Sequence, residues 1–226
     1  MSTGAEQLHS RAGSWVLGLG PEFRLSAVSS RPPNLREMPI PAYSSTGMSA
    51  RHDVLLDAWR INDRVTTFLV EHISPELWDA TLPRTPRRAI RNICAHLHNS
   101  RCSWMKGLAK GTAISIPARV APSTATCRAV SSALSRSGLQ MLHMIEAGVR
   151  NGGEFPQVSS AFVWGAWPRN VLLFLAYAVS HEAHHRGQIL LIARELGRRF
   201  PPEVVGGLWQ WSSRLKEGRP KKTVGG

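Results

Sequence analysis

The stretch "AVSHEAHHRGQIL", residues 178 to 190, sets three histidines and a glutamate inside an otherwise apolar helical run. Rotated by about 100° per residue, with His181 at zero, Phe174, Tyr177, His185, Gln188 and Ile192 all fall within about 40° of it. That strip is the core face. His184 lies about 60° to one side and Glu182 about 100° to the other, and Arg186 points outward. Two imidazoles one turn apart therefore interrupt an apolar stripe, where each is costly to bury without a partner. Histidines at i and i+4 can share a metal ion.

A third ligand has to come from another helix, and "CAHLHNSRCSW" at residues 94 to 104 supplies candidates. Its apolar face is set by Ala89, Ile93, Leu97, Trp104 and Leu108, with Ser100 among them. His96 borders that face and is the better ligand. His98 points away from it with Cys94 and Met105, and that combination stays open if the helix rotates. Three separate core histidines are the bland alternative, but an i, i+4 pair in mid-stripe with a third from another helix favours metal.

Four segments carry the helical period. "RHDVLLDAWRINDRVTTFLVEHI" (51–73) repeats apolar residues at Leu55, Ala58, Trp59, Val65 and Leu69, with Asn62 in the same stripe. "TPRRAIRNICAHLHNSRCSWMKGL" (85–108) opens with Thr85 as N-cap and Pro86 at the first helical position. The third runs from about Thr124 to Ala147, burying Val130, Leu134, Met141, Leu142 and Ile145. The fourth starts at Pro168 and ends at Gly197, where glycine can turn left-handed. No hairpin signal competes, so the expected fold is all-α, a four-helix bundle. Residues 109–123 read as a crossover, and residues 150–167, with Phe162, Trp164 and Trp167, as a lid or a cap. Trp209 and Trp211 are expected to pack back onto the helices.

Residues 1–47, rich in Ser, Gly and Pro, read as a disordered extension, or as sequence upstream of a true start at Met48. The bundle is placed at 48–215 and a basic flexible tail at 216–226. The hydrophobic content of 42% suits one globular core. Cys94, Cys102 and Cys127 lack disulfide or zinc-finger spacing and are read as reduced and packed. With no apolar run of membrane length and no signal-peptide pattern, a cytoplasmic protein is expected.

The net charge is +13, and from Ala80 to Ile145 there are ten basic residues and no acidic one. Such a block could attract an anionic small molecule or nucleic acid, or form only a solvated face. A non-enzymatic basic binding bundle is therefore a rival to a metal site. "HEAHH" also satisfies H-E-x-x-H, with Glu182 as the general base of a zinc protease, but a downstream third ligand would have to be Glu195 or Glu203.

"AHLHNSRCSW" (95–104) and "HEAHHRGQ" (181–188) resemble the second- and fourth-helix motifs of the DinB/YfiT-like family, and the likeness covers about residues 50 to 215. The resemblance implies a four-helix bundle holding a divalent ion, Zn²⁺ or Ni²⁺, on His96, His181 and His185, with open positions for water or substrate. It also implies a homodimer and an enzyme, a thiol transferase joining a low-molecular-weight thiol to an electrophile, or a hydrolase. A small anionic or thiol-containing substrate is expected, with nucleic acid not the partner. Gln188, one turn beyond His185 on the same face, is expected to orient a bound ligand or water or else to bond the adjacent helix, and Tyr177 to donate a proton to a ligand or else to pack as a core tyrosine.

Overall fold

The structure is a computed structural model that describes residues 45–83, 89–156 and 169–219, with side chains from His52 onward. The expectations for residues 1–44, for Thr85 and Pro86, for Phe162, Trp164 and Trp167, and for residues 220–226 lie outside them. Four long helices make the frame: α1 (Ser45–Glu71), α3 (Ile90–Leu108), α4 (Cys127–Arg150) and α5 (Val171–Glu195). Three short ones, α2 (Pro75–Trp78), α6 (Pro202–Gly207) and α7 (Trp211–Gly218), were not anticipated. No strand occurs among the described residues, so the chain is all-α, as its periodicity predicts. None of the described helices is long and apolar enough to cross a membrane.

Local chemistry explains the helix ends. Thr126 Oγ1 accepts from the Ala129 amide at 3.2 Å to cap α4, and Asn170 Oδ1 accepts from Leu173 at 3.1 Å to cap α5. Each such cap stabilises by about 1 kcal/mol. At the end of α5, Gly197 takes φ +70°, and the amides of Gly197 and Arg198 donate back to Arg194 and Ala193. This is the expected left-handed terminus. α3 opens at Ile90, directly after an extended Ala89.

α1 packs against α4, α5 and α7, and α3 against α4 and α5. The apolar interior falls into two clusters. One gathers Leu69, Ile93, Leu97, Leu134 and Ile189; the other gathers Trp59, Trp104, Met141, Ile145 and Phe174. Between them runs a buried polar layer to which all four long helices contribute. Arg101 from α3 donates to both oxygens of Glu182 on α5 (2.7 and 2.9 Å), to Asp63 of α1 (2.6 Å) and to the Leu134 carbonyl of α4 (3.1 Å). Glu182 also accepts from Asn62 at 2.9 Å and Thr66 at 2.7 Å. Burial alone would raise the Glu182 carboxyl, but the adjoining Arg101 guanidinium holds it below the usual range.

Two expectations fail here. Arg186, expected to point outward, is tucked in beside the fully buried Glu182, donating to Asn62 (3.0 Å) and Thr66 (2.6 Å). α5 is enclosed on two sides, by α3 and by α1, so a helical wheel with one core face misplaces whatever meets α1. Trp209 and Trp211, expected to pack inward, are 76% and 55% exposed.

Candidate metal centre

α3 presents His96 and, one turn later, Ser100; α5 presents His181 and His185. Their rings converge. His181 Nε2 lies 3.4 Å from His96 Nε2 and 3.3 Å from His185 Nε2, and ligand atoms from all three residues fit within 4.8 Å of one another. A tetrahedral cation about 2.0–2.1 Å from each nitrogen would separate ligand atoms by about 3.3–3.4 Å. The spacing therefore suits a divalent ion, and the three residues could hold one.

The hydrogen bonding around the rings agrees. His185 Nδ1 donates to Gln188 Oε1 at 2.8 Å, and Gln188 Nε2 donates to His184 Nε2 at 2.9 Å. With its proton on Nδ1, His185 turns a bare Nε2 lone pair toward the cluster. One proton on His181 Nε2 would have to be shared between two neighbours, whereas a cation satisfies all three lone pairs. His181 Nδ1 is buried without a hydrogen-bond partner among the described residues, so this ring lacks the outer support His185 has.

Electrostatics keep the rings neutral. Burial, reinforced by the neighbouring His185 and His96, pushes His181 down to about 4. His96 is lowered by burial and by the positive charge of Arg119; His185 is lowered by burial against the Gln188 hydrogen bond. Neutral imidazole is the ligand form.

The walls are aromatic. The Trp104 ring stands edge-on to His181 at 5.1 Å, and Tyr177 lies 5.9 Å from His181 and 5.8 Å from Trp104. Trp104 is buried while Tyr177 is partly exposed, so the pair grades from core to opening. Ser100 Oγ is 3.2 Å from His96 Nε2, and Arg119 of the long α3–α4 connection donates to Ser103 Oγ at 3.0 Å. Sequence reasoning placed Ser100 on the face that His96 borders and counted Arg119 in the basic block, but gave neither a role at the site. Ser100 could have been given one, since it follows His96 by four residues on one helix face.

His98 does not join the cluster. It is buried on another side of α3, bonded to Ser137 Oγ at 3.1 Å and the Ala118 carbonyl at 2.9 Å, so the His98 and Cys94 alternative is set aside. Glu182, held in the ionic layer, is not available as a general base, which removes the H-E-x-x-H protease reading. Cys94, Cys102 and Cys127 are free thiols whose burial raises each above the ordinary range, so none is primed as a nucleophile. Within the basic block, Arg101 lies inside the bundle and Arg91 pairs with Asp79 at 2.8 Å, which leaves less free positive charge than the count suggests.

No curated protein and no solved structure is significantly similar to this chain. The family model for the DinB family matches residues 48–213, a span that includes His96, His181 and His185, and the chain belongs to the DinB family.

Proposed function

We propose that the chain is a metal-dependent enzyme, binding one divalent ion, Zn²⁺ or Ni²⁺, through His96, His181 and His185. Its activity is transfer of a low-molecular-weight thiol to a small electrophile, with hydrolysis of a small substrate at the same centre as the variant reading. The observation that carries this is the convergence of three Nε2 atoms from two helices at 3.3 and 3.4 Å. A divalent cation on three neutral imidazoles supplies a Lewis acid that lowers the pKa of a thiol or water brought to it.

The chain's own residues supply the rest. Gln188 orients His185 through its Nδ1 hydrogen bond. Trp104 and Tyr177 wall the site against water, which strengthens electrostatic interactions inside it. Ser100 offers a hydroxyl within reach of His96 Nε2 and so of a ligand seated there. Arg119 adds positive charge beside His96, suiting an anionic thiol or electrophile. Because its own cysteines are packed and protonated, the nucleophile is brought in rather than supplied by the chain. A cytoplasmic homodimer belongs to the same reading.

Metal analysis of protein prepared without an affinity histidine tag tests it. About one equivalent of ion per chain is expected after soaking in Zn²⁺ or Ni²⁺, falling sharply in His181→Ala and His185→Ala. Less than about a tenth of an equivalent in the parent would end the reading. Turnover of an electrophile that depends on both metal and added thiol then separates transfer from hydrolysis.

A further inference from the structure

The face of α5 turned away from the histidines lines a second cleft. It lies between α1 and α5 and is edged by the segment joining α6 to α7, with a volume of about 570 Å³. Its walls are mostly apolar, including Ile61, Val65 and Leu190, with Trp209 and Trp211 at its edge. That volume lies in the range of small-molecule sites, about 300–1,000 Å³. A pocket of similar size beside Asp63 differs in kind: its charged lining is already paired, Arg64 with Glu71 and Glu217.

Two features of the α1–α5 cleft lack a use within the fold. Gly187 sits inside α5, where glycine costs about 1 kcal/mol against alanine. A Cβ added there would meet, among the described residues, no atom within 4 Å beyond its chain neighbours and its own helix backbone, so packing does not require the glycine; the open space is the cleft itself. Trp209 and Trp211 leave large indole surfaces in water. The cleft also has a polar end. Arg186 lines it, and among the described residues all of that guanidinium's hydrogen bonds leave from Nη1, so the donors on Nε and Nη2 are left for a ligand.

We propose that the α1–α5 cleft binds a small amphipathic anion, an aromatic or aliphatic carboxylate or sulfonate, with its apolar body against α1, α5 and Trp209 and its head at Arg186. This site is separate from the histidine cluster and does not depend on the function proposed for it.

The test uses the full chain and anilinonaphthalene sulfonate, an aromatic anion whose fluorescence rises as it leaves water. Saturable one-to-one binding is expected, weakened about tenfold or more in Gly187→Leu, whose side chain would fill the cleft. Gly187→Leu should keep its helical circular dichroism and melt no lower, since leucine is the better helix former. Trp209→Ala, which alters an exposed side chain, should weaken the probe independently. Decanoate should displace it well and decanol poorly. Unchanged binding in both variants would overturn the site, and equal displacement by decanol would overturn the assignment of an anion. A parent that sediments as a dimer, with Gly187→Leu a monomer, would replace the ligand with a second copy of the chain.

Discussion

His185 and Gln188, nearly one turn apart on α5, share a 2.8 Å hydrogen bond from Nδ1 to Oε1 that leaves the Nε2 lone pair of His185 facing His181. Removing such an outer partner lowers metal affinity by about 10–100-fold without touching a ligand. Gln188→Leu is therefore expected to bind Zn²⁺ about 10–100-fold more weakly in competition with a chromophoric chelator. Gln188→Glu, which keeps an acceptor at the same reach, should restore most of the affinity. Equal affinity in Gln188→Leu would mean that the amide does not govern the His185 tautomer.

Arg101 and Glu182 stand to each other as a buried ion pair whose side chains are both 0% exposed. Removing one member of such a pair leaves an unmatched charge and costs about 3–5 kcal/mol. Arg101→Met should lower the urea midpoint accordingly, and Arg101→Met with Glu182→Leu should recover part of the loss. The Arg101 guanidinium also lies 5.0 Å over the Trp59 ring, so Trp59 fluorescence should shift in the same variants.

The long helices and the His181–His185 pair are legible in the chain because each rests on a local spacing, apolar residues at three and four and histidines at four, whereas His96 was reached only through the face of a second helix that it borders. The position of Glu182 is not legible, because its burial is decided by Arg101 and Asn62, residues far away in sequence that show no pairing signal. Arg186 was misplaced for the same reason. The exposure of Trp209 and Trp211 escaped too, since a tryptophan count cannot reveal that α6 and α7 turn those rings outward. The buried layer thus arises from tertiary assembly, and so does the meeting of His96 with the His181 and His185 pair, of which only the pair is written in one helical period.

Gly138 of α4 faces Asp63 of α1 closely enough that an added Cβ would overlap the Asp63 carboxylate. That carboxylate is held by Arg101 Nη1 and cannot swing aside freely. The same close approach lets Trp59 Nε1 donate to the Gly138 carbonyl at 2.9 Å. Gly138→Ala should therefore destabilise by about 1–3 kcal/mol, as overpacking does, although alanine is the better helix former. Thermal unfolding measures it, and an unchanged or raised midpoint would show that α1 and α4 can part at no cost.

Protons should act on chelator-treated protein through the same three rings. His181 is held near 4 in the folded chain by burial and by its two neighbouring histidines, against 6.5 for an ordinary imidazole, and His96 and His185 move in the same direction. Between those values the unfolded chain binds a proton that the folded chain refuses. Stability is therefore complete above about pH 6.5 and declines as pH falls toward about 4, where His181 titrates in the folded state as well. Urea midpoints taken across that window should drop, and His181→Gln, which cannot titrate, should flatten part of the slope. A divalent ion bound to the neutral rings competes with the same protons, so adding Zn²⁺ should raise the midpoint near neutral pH and lose that effect on acidification. A parent protein with the same pH slope as His181→Gln would mean that His181 is as easily protonated in the bundle as in water.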